Sequence, residues 1–81
     1  MNDDELRALV LDVLGAIAPE ADLAMLDPTS QLQEELDLDS INFIDFVSAL
    51  HERTGVNIPE RAYPEVATLA GAVHYLHAHA A

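Results

Sequence analysis

The chain has 81 residues, room for one small domain over residues 1–81 and no deep catalytic cleft. Leu, Ile, Val and Phe supply 24 of them, enough for a packed interior, which argues against disorder despite a formal net charge of −12. The absence of Cys excludes disulfides, thiolate zinc sites and Cys nucleophiles, and three Arg with no Lys leave a surface that repels nucleic acids and anionic membranes and attracts basic proteins.

Met1 to Glu5 is acidic where a signal peptide is basic, and Asp12 interrupts the apolar stretch from Ala8 to Ala18. No segment has the length of a membrane span. The expectation is a complete, soluble, cytoplasmic chain that starts at its own initiator Met.

The first helix begins at Asn2, a good N-cap, with Glu5 at the reciprocal capping-box position and Asp3 and Asp4 at the positive end of the dipole. Leu6, Leu9, Val10, Val13, Leu14 and Ile17 recur at three- and four-residue steps and form one stripe. Pro19 ends the helix near Ala18. Residues 19 to 38 hold no period, but Leu23, Leu26, Leu32, Leu36 and Leu38 predict a long loop packed across the helix ends, with a short turn around Gln31 to Leu36.

A second helix is predicted from about Ser40 to Thr54, capped by Asp39 and stopped by Gly55. At a hundred degrees per residue, Phe43, Phe46, Val47 and Leu50 face the core. Asp45, Ser48 and Glu52 lie opposite, with Ile41 among them. Val56 to Pro59 is an extended connection in which Ile58 plugs the core. Pro59 and Pro64 bracket Glu60 to Tyr63, leaving space for a single short helical turn. The last helix is capped by Thr68 and carries Leu69, Ala72, Val73 and Leu76 at helical spacing; Tyr63 and Tyr75 read as amphipathic edge residues. The fold class is all-α: a small bundle of three main helices plus one short helix, with a long loop between the first and second.

Leu36 to Ile41 is the informative segment. Ser40 stands just inside a helix start, where free backbone N–H groups and the dipole favour a phosphate, so its hydroxyl is well placed to carry a phosphodiester. Taken alone, Asp39-Ser40 is an ordinary cap. Ile41, ringed by Asp45 and Glu52, has the character of a small docking spot: an apolar anchor inside an acidic rim.

Asp39-Ser40-Ile41, preceded by Glu35-Leu36-Asp37-Leu38, resembles the phosphopantetheine attachment motif of acyl carrier proteins. The resemblance spans nearly the whole chain, from the acidic first helix through Asp27-Pro28, Phe46 to Leu50 and Ile58-Pro59 to Thr68 and Leu76. It departs at Asp37, where the family commonly has Gly, and at Ile41, where Leu or Met is usual; His51 and Arg53 also dilute the acidity of the second helix. What it implies is a monomeric carrier and not a catalyst. A phosphopantetheinyl transferase, using coenzyme A and magnesium, is expected to place 4'-phosphopantetheine on Ser40, beside its motif neighbour Asp39. The thiol of that arm then holds acyl groups for fatty-acid, polyketide or related enzymes, whose basic surfaces would dock on Asp37, Ile41, Asp45, Ser48 and Glu52. A carrier for aminoacyl or peptidyl groups is the nearer alternative, but those more often have Gly-Gly before the attachment segment and less negative charge. An acidic helical adaptor with no cofactor is the remoter one.

Other chemistries fail on spacing. A serine hydrolase needs a base near Ser40, and His51 lies about 16 Å along the same helix by helical rise. A calcium loop starting at Asp37 would put Ile41, Asn42 and Ser48 at positions needing a ligand, a Gly and a Glu. His74 and His77 are one turn apart, but no third ligand is fixed beside them by the sequence, so no metal site is expected.

Overall fold

The computed structural model describes residues 1–80, which contain four α-helices and two 3₁₀ segments and, among the described residues, no strand. Helix α1 covers Asp3–Ile17. Its start is the expected capping box: the Asn2 carboxamide oxygen accepts from the Glu5 amide at 2.8 Å, and the Glu5 carboxylate accepts from the Asn2 amide at 3.2 Å. Leu6, Leu9, Val10, Val13 and Leu14 are buried on one side.

The long connection does pack, and backbone hydrogen bonds hold it. A 3₁₀ turn at Leu23–Met25 leads to Asp27, whose carboxylate accepts from the amide and the hydroxyl of Thr29 at 2.9 and 2.8 Å. Those two bonds hold the Asp27 carboxyl below the ordinary aspartate pKa, the amide contributing more. Helix α2, Leu32–Glu35, is a single turn. The Leu32 amide donates to the Ala67 carbonyl at 2.8 Å, and the Ala70 amide donates to the Pro28 carbonyl at 2.9 Å. The loop is thereby pinned across the start of the last helix, with Leu26, Leu32 and Leu38 buried beneath it.

Helix α3 covers Ser40–Thr54 and ends on Gly55, whose φ of 74° is the left-handed cap that glycine adopts without a steric penalty. Val56 and Ile58 are both buried in the extended stretch that follows.

One boundary differs from expectation. The short turn does not stop before Pro64: a 3₁₀ segment runs from Glu60 to Val66 through it. Proline's fixed φ lies within the 3₁₀ range, so in this tighter helix the ring costs one hydrogen bond without ending the segment.

Helix α4 covers Leu69–His79, with the Thr68 hydroxyl accepting from the Gly71 amide at 2.9 Å. Its buried residues are Leu69, Ala72, Tyr75 and Leu76, while Val73, expected among them, is half-buried. Tyr75 is therefore a core residue and not an edge one: it is 6% exposed, its hydroxyl donates to the Asn57 carbonyl at 3.3 Å, and His79 stacks on it. Tyr63 does keep an edge position, half-buried with its ring against Phe43. Helix α1 packs against both α3 and α4, and α4 also packs on the second 3₁₀ segment. Phe46, Leu14, Leu32, Leu50, Leu69 and Leu76 are fully buried at the centre.

Candidate functional site

The loop before Ser40 is set by the way α2 ends. The Leu36 amide donates to the Leu32 carbonyl at 3.0 Å, and the Leu38 amide reaches back to the Gln33 carbonyl at 2.9 Å. This six-to-one closure requires a left-handed residue between them, and Asp37 fills that place with a φ of 53°. Glycine is the usual occupant of such a position, which accounts physically for the departure noted at Asp37. Aspartate, like asparagine, tolerates it better than most L-residues because its short polar side chain interacts locally. Leu38 then turns into the core, and Asp39 opens α3.

Asp39 is extended, and its carboxylate accepts from the Asn42 amide at 2.7 Å. That bond satisfies one of the amides left unpaired at a helix start and fixes the direction in which the first turn leaves the loop. Ser40 is the first residue of the 15-residue helix and is exposed. Its hydroxyl stands at the positive end of the helix dipole, on a surface open to solvent.

Along α3 the structure brings the anticipated surface together. Ile41 is 71% exposed, and Asp45, Ser48 and Glu52 are exposed on the same side. Phe43, Phe46, Val47 and Leu50 are buried on the other. Asp37 and Asp39 are exposed at the Ser40 end. A second apolar residue belongs to this surface: Ile44 is 50% exposed, one turn from Ile41. It escaped the sequence reading, although its place outside the Phe43–Leu50 arc on the helical wheel was enough to reveal it.

Other titratable side chains are engaged elsewhere. The His51 ring donates from Nδ1 to the Val56 carbonyl at 2.9 Å, which fastens the exit of α3. Arg53 reaches across to Asp12 of α1 at 2.9 Å, so its charge is spent on an inter-helix pair. His77 Nδ1 lies 3.0 Å from Asp3 Oδ1, a neighbour that the sequence did not reveal because the two are joined only by the packing of α1 on α4. Among the described residues, no group of three or more His, Asp or Glu is arranged to hold a metal ion. No described helix is long and apolar enough to cross a membrane.

A family model described as "phosphopantetheine attachment site" matches residues 4–76. The chain belongs to that family. It is thus a carrier protein of the acyl-carrier type, and its cofactor is covalently attached 4'-phosphopantetheine. The residues of the carrier fit such a group: an exposed hydroxyl begins a capped helix, with the free amides of the first turn beside it. Membership also implies that the carrier meets a phosphopantetheinyl transferase and biosynthetic enzymes.

Proposed function

We propose that residues 1–81 act as one discrete acyl carrier domain in the cytoplasm, that Ser40 is the residue which bears the arm, and that the chain transports and does not catalyse. The observation that carries this reading is the exposed Ser40 hydroxyl at the first position of α3, held there by the Asp39 cap. When bound, 4'-phosphopantetheine supplies a terminal thiol that holds a carboxylic acid as a thioester, which a chain without Cys does not have. The chain's own residues do the rest. Amides of the first turn and the helix dipole favour the phosphodiester at Ser40. Asp37 and Asp39, both exposed and negative, repel it from the loop and so favour an arm directed away from the body.

The acyl reading is preferred to an aminoacyl or peptidyl one because of the −12 net charge and because Leu36-Asp37-Leu38 stands where Gly-Gly would be more usual. Fatty-acid, polyketide and related biosynthetic enzymes are the partners considered. They meet α3 through Ile41, Asp45, Ser48 and Glu52, with Asp37 at the near end and Ile44 extending the apolar part.

Intact mass tests the assignment. The purified chain, incubated with coenzyme A, magnesium and a broad-specificity phosphopantetheinyl transferase, should gain one pantetheine phosphate. Ser40→Ala should keep the helical circular-dichroism spectrum of the parent and gain nothing. Modification that persists in Ser40→Ala, at Ser30 or Ser48, overturns the choice of residue.

A further inference from the structure

An apolar acyl chain held at Ser40 gains by leaving water, so the shape of the interior nearest Ser40 decides which cargo the carrier can shelter. Phe43 stands there, on the first turn of α3, buried where Ser40 is exposed. Its ring lies between two others. The Phe46 ring is 5.8 Å away on the same helix, centroid to centroid, and the Tyr63 ring meets it edge-on from the second 3₁₀ segment at 5.6 Å and 72°. Aromatic pairs at these separations and tilts attract beyond the area they bury.

Tyr63 is fixed from behind. Ala62 and Val66 of its segment are buried, the Ala62 amide donates to the Pro59 carbonyl at 2.8 Å, and the segment packs on α4. Outside the rings, an open groove of about 310 Å³ lies between α3 and residues 57–63. Val47, Ile58 and Tyr63 give it an apolar side, but His51, Glu52 and Asn57 line it too, all three exposed. An alkyl chain lying there keeps one side in water. Passage inward requires the Phe43 and Tyr63 rings to part, and a close-packed interior resists added volume.

We propose that Phe43 and Tyr63 form an aromatic latch which keeps the cargo outside the bundle, so that the carrier suits short or polar acyl groups and not long alkyl chains. Such a cargo loses little by staying in water, and a partner enzyme takes it without drawing it out of the carrier. The inference rests on the carrier reading for the presence of a cargo; the latch itself stands without it.

The test compares the chain bearing an octanoyl-loaded arm, transferred from octanoyl-coenzyme A, with the chain bearing the unloaded arm. The two should melt within about 1 °C of each other, and the methyl resonances of Leu50, Val66 and Leu76, all fully buried, should coincide. Tyr63→Ala, which truncates a half-buried ring, and Phe43→Val should each leave an apolar space of the kind that takes apolar ligands. In these variants octanoyl should raise the melting temperature by several degrees over the unloaded arm and shift those methyls. A rise or methyl shifts in the parent would overturn the latch, as would folded variants that respond no more than the parent. Should Phe43→Val fail to fold, Tyr63→Ala decides. Free toluene, titrated into the unmodified parent and into Tyr63→Ala, repeats the comparison without an arm: the methyls of Tyr63→Ala should shift and those of the parent should not. An error in the choice of Ser40 shows instead as a mass gain that persists in Ser40→Ala, and it leaves the toluene result untouched.

Discussion

Two glycines in helices illustrate how a residue's role depends on what lies beyond its own helix. A β-carbon on Gly15 of α1 would make ordinary contact with Leu23 at 3.6 Å, so Gly15→Ala should gain about 0.5–1 kcal/mol from helix propensity. On Gly71 of α4 the same carbon would run into the carbonyl oxygen of Glu65 and crowd the Thr68 hydroxyl. Gly71→Ala should therefore lose about 1–3 kcal/mol, because relief requires the second 3₁₀ segment to move off the helix start. Thermal melts of the two variants should shift in opposite directions, by about 4–8 °C per kcal/mol for a domain of this size. A gain in melting temperature for Gly71→Ala would mean that the 3₁₀ segment yields freely.

At the scale of elements, α3 divides its length between packing and display. The buried arc of Phe43, Phe46, Val47 and Leu50 holds it on the core, and this frees Ile41 and Ile44 for other work. With Ile41 71% exposed, Ile41→Ala removes little from the interior, so its melting temperature should stay within about 2 °C of the parent, as for a surface change of a few tenths of a kcal/mol. Transferase and acyl-loading kinetics should suffer instead, by about 1–2 kcal/mol if the side chain is fully buried in the complex, read as faster dissociation. Removing the Asp45 or Glu52 carboxylate should mainly slow association and flatten its salt dependence. A lower melting temperature with normal kinetics for Ile41→Ala would assign that residue to stability.

For the whole molecule, charge is the dominant surface property. Fifteen carboxylates face three Arg; among the described residues Asp12 pairs with Arg53, and Asp3 lies beside the His77 ring. Exposed pairs of this kind are worth at most about 1 kcal/mol each, too little to offset mutual repulsion on a body with a radius of gyration of 11.3 Å. At physiological ionic strength the screening length is about 8 Å, shorter than that body, so added salt should raise the melting temperature. Divalent ions should do more than sodium at equal ionic strength. A melting temperature indifferent to salt would show that the carboxylates are too dispersed to interact.

Most of α1, α3 and α4 was legible in the sequence because capping and periodicity are local. Asn2 with Glu5, Asp39 with Asn42, Thr68 with Gly71 and the left-handed Gly55 each act within a few residues, and apolar spacing marks the face that must leave water. The same local logic put Ser40 at a helix start and Ile41 on the outer side of α3. The tertiary structure decided what depends on contacts distant in the chain. Leu32 and Ala70 bind the long loop to the start of α4, Tyr75 lies in the core with its hydroxyl satisfied by the Asn57 carbonyl, and Asp3 meets His77 across two helices. Asp37 lies between these cases. Its residue type names a tolerated left-handed turn, but only the bond from Leu38 back to Gln33, made once α2 has formed and Leu38 is buried, requires one there.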